Sequence, residues 1–444
     1  MQINIPTNVE KIIDTLEAAG YEAYAVGGCI RDTILGRVPN DWDITTSAKP
    51  EETKALFKKT FDTGIKHGTV SVLLDHEIYE ITTYRIDGEY EDSRHPKNVV
   101  YTDLLSEDLM RRDFTINAMA YNPRRGLVDL YGGQEDIKKK IIRCVGEPEK
   151  RFGEDALRIL RAVRFGAQLG YSIEDNTASA IRDLSHNLSK ISAERIQAEL
   201  VKLVVSEHPE YIKIAYELGI TKVILPEFDE MMETTQNNPH HCYSVGDHTV
   251  EVMRHVRNEK ILRLTALLHD IGKPATKVTD SDGIDHFKGH PEKGAEIAKN
   301  IFARLKFDND TRDKVCALIG AHDWTIHAKV SRIRHEINRI GETAFPLIFE
   351  LNLADTMGQS TYKREDKLKF LNELRAAYDE VIRLNQCTSL KSLKITGKDI
   401  IEQGYAPGPG IGIVLDDLLN KVLDDPTLND RETLLEIVKK GRHE

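Results

Sequence analysis

The 444-residue sequence lacks a disulfide framework. Its five cysteines (29, 144, 242, 316, 387) are scattered, with no CxxC and no close pairing, which predicts reduced thiols in a cytoplasmic protein. Long apolar runs are missing as well. No stretch approaches the roughly 18–20 apolar residues of a membrane span, and the opening Met-Gln-Ile-Asn-Ile-Pro has no basic leader region. No membrane partner is therefore expected. Internal repeats and low-complexity tracts are absent, which excludes a solenoid. An excess of positive charge is absent too, since the net charge is −11. That balance argues against nucleic acid in bulk, but a local basic face is enough in a chain of several domains. One such stretch exists. Residues 138–165 hold nine Lys/Arg against four acids, a net +5, and this suits either a solvated helix face or a polyanion.

What is present is an ordinary globular composition, 40% apolar and 30% charged, with length for about two to four domains. The chain is organised around residues 26–43. Tyr24–Val26 reads as a short strand, and Gly27-Gly28 as a turn where backbone can approach a ligand closely. Arg31-Asp32 opens a short helix whose first N–H groups suit a phosphate. Asp41-Trp42-Asp43-Ile44 reads as a second strand with Asp41 and Asp43 on one face. Two adjacent carboxylates are costly without a cation between them, and all-oxygen ligands suit Mg²⁺. Solvated loop acids are the plainer reading of a lone DxD. The glycine turn, Arg-Asp and DxD in series make that reading less apt.

Further along, residues 7–20 and a segment from Pro50 have helical patterns. Thr69–Leu74 and Glu77–Tyr84 read as paired strands around Asp75-His76. Glu80 in the second of these is either a third acid for the pair or a solvent-facing residue. Residues 87–108, including Tyr90, Asp92, Arg94, His95 and Pro96, read as one long loop, and such loops are usually functional. Arg111-Arg112-Asp113-Phe-Thr-Ile-Asn117 reads as a helix start with Asp113 and Asn117 on one face. Asp129–Gly133 is an acid-to-glycine turn. From about 136 to 225 the pattern is helical. In a helix over Glu154–Phe165, Ala156, Ile159, Leu160 and Val163 form the buried stripe. Asp155 and Arg158 share another face, continued by Arg161 and Arg164. Glu154 or Asp155 with Arg158 is either a surface pair worth roughly 0.2–0.5 kcal/mol or a set of acceptors and donors for the edge of a base.

Glu227–Pro239 reads as a linker, and beyond it the composition changes. Nine of the sixteen histidines (240, 241, 248, 255, 269, 286, 290, 322, 327) lie between 240 and 327. His269-Asp270 ends an apolar helix, with His248 before it and Asp355 after it, a donor set for a divalent transition metal or Mg²⁺. His290 and His322 could hold a second ion, and two ions about 3.5–4 Å apart suit phosphoester hydrolysis. The tail from about 365 reads as helices interrupted by a Gly/Pro turn at 404–412.

With these pieces in order, the chain resembles the class II tRNA nucleotidyltransferases, the CCA-adding and poly(A) polymerase family. Residues 26–43 resemble its GGxxRD…DxD motif, Arg111–Asn117 its RRDxxxN motif, and Glu154–Arg164 its EDxxRxxR nucleotide-template motif. The Asp129–Gly133 turn and Ser192–Arg195 resemble two further blocks. The resemblance implies an α+β fold: a polymerase-β-like mixed sheet with helices over 1–135, a helical neck and body over 136–235, a helical HD domain over 240–365 and a helical, tRNA-contacting tail over 366–444. It implies that Asp41 and Asp43 hold Mg²⁺ ions that activate a tRNA 3′-hydroxyl and neutralise a triphosphate. Gly27, Gly28 and Arg31 would meet the phosphates, Asp113 the ribose, and Arg112 and Asn117 the nucleotide. Asp155 and Arg158 would pair with C or A but not G or U. The 87–108 segment resembles the family loop implied in the switch from CTP to ATP. His248, His269, Asp270 and Asp355, with His290 and His322, resemble the HD phosphohydrolase ligands. The expected activity is addition of C and A to tRNA ends from CTP and ATP. The alternatives are poly(A) or A-only synthesis, or an HD phosphohydrolase whose N-terminal half delivers RNA.

Overall fold

The computed structural model describes residues 2–87, 99–323 and 330–441, and the chain divides into two compact units, Met1–Pro226 and Glu227–Glu444. Tyr90, Asp92, Arg94, His95, Pro96 and His327 lie outside the described residues. Among the described residues, the first nine strands of the first unit are β1 (Ala23–Val26), β2 (Asp43–Thr46), β3 (Thr60–Gly64), β4 (Thr69–Leu74), β5 (Glu77–Thr83), β6 (Arg85–Asp87), β7 (Val99–Tyr101), β8 (Met119–Asn122) and β9 (Gly126–Asp129), and a short parallel pair, β10 (Ile141–Ile142) and β11 (Ser172–Ile173), follows. Seven of them form one mixed sheet in the order β3-β4-β5-β2-β1-β8-β9. β2 and β5 run parallel, and the other neighbours are antiparallel. The β4–β5 turn is Asp75-His76, both at positive φ (49° and 69°), the two-residue geometry whose twist matches its strands. The helix Thr7–Ala18 buries Val9, Ile12, Ile13 and Leu16 and ends before Gly20. The architecture is α+β, with this sheet followed by helices.

Several local expectations change. β2 begins at Asp43, so Asp41 lies just outside the strand, in the connection leading into it. The segment 87–108 is not one loop in its described parts: β6 pairs with β7, and Leu105–Met110 is a helix. Arg111–Asn117 is not a helix start. Arg111 and Arg112 follow the C-terminus of Leu105–Met110, Phe114 is extended, and Thr115–Asn117 is a single 3₁₀ turn into β8. The template segment is two helices, Pro148–Glu154 and Leu157–Leu169, with Asp155 extended between them. Ala156, Ile159, Leu160 and Val163 are nevertheless fully buried, because the 3.6-residue apolar stripe survives the break.

In the second unit, half of the expected linker is the helix Pro226–Glu233. Phe228 and Met231 are its buried face, and this apolar pair is what holds the segment in a helix. The helices that frame the histidines are Val245–His255, Lys260–Leu268, His290–Arg304, Asn309–Ile319 and Leu347–Gly358, followed by Arg364–Arg383. A separate apolar cluster, including Ile400, Leu418, Val422 and Leu434, packs the tail helices together. The helix Pro409–Asp424 begins inside the Gly/Pro turn, with proline in its first turn. Among the described residues no helix is long and apolar enough to cross a membrane.

Candidate active sites

Gly27 follows β1 at φ +87°, and its N–H donates to the Met119 carbonyl of β8. A Cβ there would lie 3.2 Å from Arg112 Nη1, so the missing side chain lets a guanidinium rest on the turn. The helix Gly28–Ile34 starts immediately after it and carries Arg31. Asp43 is in register with Glu80 across the parallel β2–β5 pair, so both side chains leave the same face of the sheet. Water reaches Asp43, yet desolvation by the surrounding protein is the leading cause that raises its carboxyl to about 6. Arg112 pulls it down, while Asp41 and Glu80 push it up. That mutual pressure among carboxylates fits a divalent cation. Among the described residues the three acids are not drawn into one tight cluster of ligand atoms like those of the second unit.

A chain of polar contacts leads from the glycine turn to the template segment. Arg31 Nη1 donates to Asn117 Oδ1 (2.7 Å), and Asn117 Nδ2 donates to Asp113 Oδ1 (3.1 Å). Asp113 Oδ2 accepts from Arg161 Nε (2.9 Å) and Nη2 (2.6 Å). Asp113 and Asn117 thus meet as expected, through a 3₁₀ turn rather than a helix face. Burial would raise the Asp113 carboxyl, but Arg161 and Asn117 outweigh it and hold it well below the carboxylate range. Phe165 lies under three guanidinium groups, with Arg164 only 3.6 Å from the ring centroid and Arg31 and Arg161 at 5.1 and 5.2 Å. Arg164 also donates to Glu199 at 2.7 Å.

The Arg158 N–H donates to the Asp155 carbonyl (3.0 Å), but their side chains turn to other partners. Asp155 Oδ1 accepts from the Leu157 N–H (3.0 Å), and its Oδ2 accepts from Arg195 Nη2 (2.7 Å). Arg158 donates to Glu154 Oε2 (2.9 Å) and to the backbone carbonyls of Arg151 (3.2 Å) and Arg111 (2.8 Å). Arg111, Arg112, Asp113, Asp155, Arg158, Arg161 and Arg195 line a cavity of about 250 Å³. Two buried donors of these residues, Arg112 Nε and Arg195 Nη1, have no hydrogen-bond partner among the described residues. Residues that sequence reasoning left without a role enter here. Asp108, fully buried, accepts from Arg111 (2.8 Å) and Arg112 (3.2 Å) and from Thr45 of β2. Arg195 was visible only as the last residue of the Ser192–Arg195 block, without a partner or role. The acidic and basic letters were legible, but their partners lie far apart in the chain.

The second unit gathers its histidines around one carboxylate. His269 and His322 each follow a helix C-terminus, His290 opens a helix, and all three are held through Nδ1 by the carbonyl three residues back, at 2.7–2.8 Å. His248 Nδ1 faces the Gly358 carbonyl at 3.2 Å. All four therefore turn Nε2 inward, at 3.3–3.5 Å from Asp270. Their ligand atoms form two metal-sized groups that share this aspartate: His248, His269 and Asp270, and Asp270, His290 and His322. Asp355 joins the first group through His248 Nε2, at 2.8 Å. Among the described residues, His269 Nε2 is fully buried with no hydrogen-bond partner, which fits a metal ligand rather than a satisfied core. Burial would raise Asp270, but His269 and Lys273 hold it well below its usual range. A cavity of about 760 Å³ opens on these ligands.

The glycine turn, the acid strand and the guanidinium-lined cavity define a nucleotidyltransferase head, joined in the same chain to an HD-type metal centre. The comparisons agree with that class. The Poly A polymerase head domain model matches residues 23–143, the probable RNA and SrmB-binding site of polymerase A matches 170–232, and the HD domain matches 240–351. A CCA-adding enzyme of Ligilactobacillus salivarius is 35% identical over 98% of this chain and 98% of its own length. One from Lactobacillus helveticus is 55% identical, over 44% of this chain and 49% of that protein. The solved Bacillus stearothermophilus CCA-adding enzyme in complex with CTP superposes with a TM-score of 0.71 at 28% identity, covering 98% of this chain and 96% of that one. The chain belongs to the CCA-adding enzyme family.

Proposed function

We propose that this chain adds C and A to tRNA 3′ ends, using CTP and ATP as donors. The observation that carries this reading is the 250 Å³ cavity between the RRDxxxN and template segments, in a chain aligned end to end with a CCA-adding enzyme. Asp41 and Asp43 are the catalytic carboxylates, with Glu80 beside them. Mg²⁺ held there would supply charge neutralisation for the triphosphate and ease loss of the hydroxyl proton. In-line transfer leaves little covalent work to the protein, so positioning carries it. Gly27, Gly28 and Arg31 would seat the phosphates. Arg112, Asp113 and Asn117 would hold the nucleotide, with Arg161 and Arg164 fixing that wall.

Asp155 and Arg158 would select the base. C and A each present an amino donor beside a ring-nitrogen acceptor, which a carboxylate and a guanidinium can read. G and U present the reverse pattern at those positions. Arg158 must exchange its Glu154 partner for the base, whereas Asp155, held by Arg195 and the Leu157 N–H, keeps a free lone pair on each oxygen for it. We assign the nucleotidyltransferase head to 1–135, the neck and body to 136–235, the HD domain to 240–365 and a tRNA-contacting tail to 366–444, in a cytoplasmic protein. The HD centre, with a transition metal or Mg²⁺, would act as a phosphohydrolase on RNA ends bearing a 2′,3′-cyclic or 2′-phosphate.

The test supplies tRNAs ending at the discriminator base, at C and at CC, with CTP and ATP separately, and sequences the products. Addition of two C and then one A, stopping there, is expected. Long A tails would favour poly(A) synthesis instead, and A on the CC substrate alone would favour an A-only enzyme.

A further inference from the structure

We propose that Lys367, on the helix Arg364–Arg383 beyond the matched HD segment, binds the phosphate of a nucleotide-sized phosphoester in the histidine-lined cavity. This rests on the reading of the His/Asp cluster as a phosphohydrolase centre. The cavity, about 760 Å³, is far larger than a phosphate ion and falls in the range of nucleotide-sized ligands. Four carboxylates reach its wall: Asp270, Asp285, Asp323 and Asp355. A phosphoester anion entering there meets repulsion that cations must offset.

Lys273 is poorly placed to offset it. Its buried ammonium is held by Asp270 Oδ2 at 2.7 Å and by Gln236 Oε1 at 2.9 Å. Lys367 differs. Its Nζ donates to Gln359 Oε1, a neutral acceptor, and among the described residues it makes no ion pair. Gln359 Nε2 in turn donates to Asp355 Oδ2 at 2.8 Å. One amide therefore holds, beside a metal ligand and on the cavity wall, an ammonium that has carboxylates near it but no ion pair among the described residues. An ammonium has three donors, so the amide leaves two for phosphate oxygens. Phe287 and His240 line the same cavity, and offer ring faces for the rest of a nucleotide.

The experiment uses full-length protein loaded with Mn²⁺, as wild type, Lys367→Ala and Lys367→Arg. Calorimetry measures binding of inorganic phosphate, metal content is assayed, and hydrolysis of adenosine 2′,3′-cyclic phosphate gives kcat and KM. The expected result is a phosphate Kd raised roughly tenfold or more in Lys367→Ala, the size of one charge-assisted hydrogen bond. KM should rise more than kcat falls, Lys367→Arg should recover most of the binding, and metal content should stay at the wild-type level. A phosphate Kd in Lys367→Ala within twofold of wild type, with metal bound, overturns the proposal and leaves the phosphohydrolase reading standing. Loss of metal from both variants overturns it too, because Lys367 would then act on the metal site through Gln359. If the wild type binds neither metal nor phosphate, the phosphohydrolase reading falls and the proposal with it.

Discussion

Arg195 holds Asp155 Oδ2 at 2.7 Å from forty positions further along the chain. The same carboxylate caps the Leu157 N–H with its other oxygen, so Arg195 fixes the direction in which Asp155 can face a base. Arg195→Ala should free that side chain and weaken selection at the base edge. The expected change is a fall of roughly tenfold in the ratio of CTP to UTP incorporation, with smaller loss of total CTP turnover. Single-nucleotide incorporation on a tRNA lacking its CCA end measures it. An unchanged ratio would mean that Arg195 only braces the helix.

Gly27→Ala tests the glycine turn. The new Cβ would require an alanine at φ +87° and would press on Arg112 at 3.2 Å. Strain of about 1–3 kcal/mol should appear as a lowered Tm, and displacement of Arg112 should raise the KM for CTP. Gly36, also at positive φ but with open space around it, is the control: Gly36→Ala should cost stability without the KM effect.

The glycine turn, the hairpin at Asp75-His76 and the buried stripe of Leu157–Leu169 were legible in the sequence because each is set by local periodicity or backbone geometry. The partners were not. Asp155 reads as the neighbour of Arg158 on one helix, yet the helix breaks at Asp155 and the two find Arg195 and Glu154. Asp113 and Asn117 do meet, although a 3₁₀ turn rather than a helix joins them. β3 carries mostly exposed side chains and has little apolar alternation to betray it. The histidine cluster was legible from density alone. Its common orientation, Nδ1 to backbone and Nε2 to Asp270, depends on helix ends that spacing does not fix.

Asp108 gives the pH prediction. It is fully buried; burial raises its carboxyl, but Arg111 and Arg112 outweigh that and hold it below its ordinary value. The folded value therefore lies below the unfolded one of about 3.9. The stability it contributes is present above about pH 4 and is lost as pH falls through the depressed folded value. Asp108→Asn should lower stability at pH 7 by about 3–5 kcal/mol, because two guanidinium groups lose their buried partner. The gap to wild type should narrow below about pH 4 in denaturant titrations, and a gap that widens on acidification would contradict the assignment.

His269→Ala removes a buried ring nitrogen that has no hydrogen-bond partner among the described residues. Divalent metal bound by the protein should fall, by elemental analysis, while CTP incorporation into tRNA stays within about twofold of wild type. Equal loss of both would mean that the two centres are not independent.

The proposed transfer depends most directly on Asp43, the strand carboxylate raised by desolvation and then by Asp41 and Glu80. The measurement is Mg²⁺-dependent transfer of labelled CMP from CTP to a tRNA lacking its CCA end, by wild type and Asp43→Asn. A fall of at least about a hundredfold in rate, with the fold intact by circular dichroism, is the expected result. Incorporation by Asp43→Asn at the wild-type rate would contradict it.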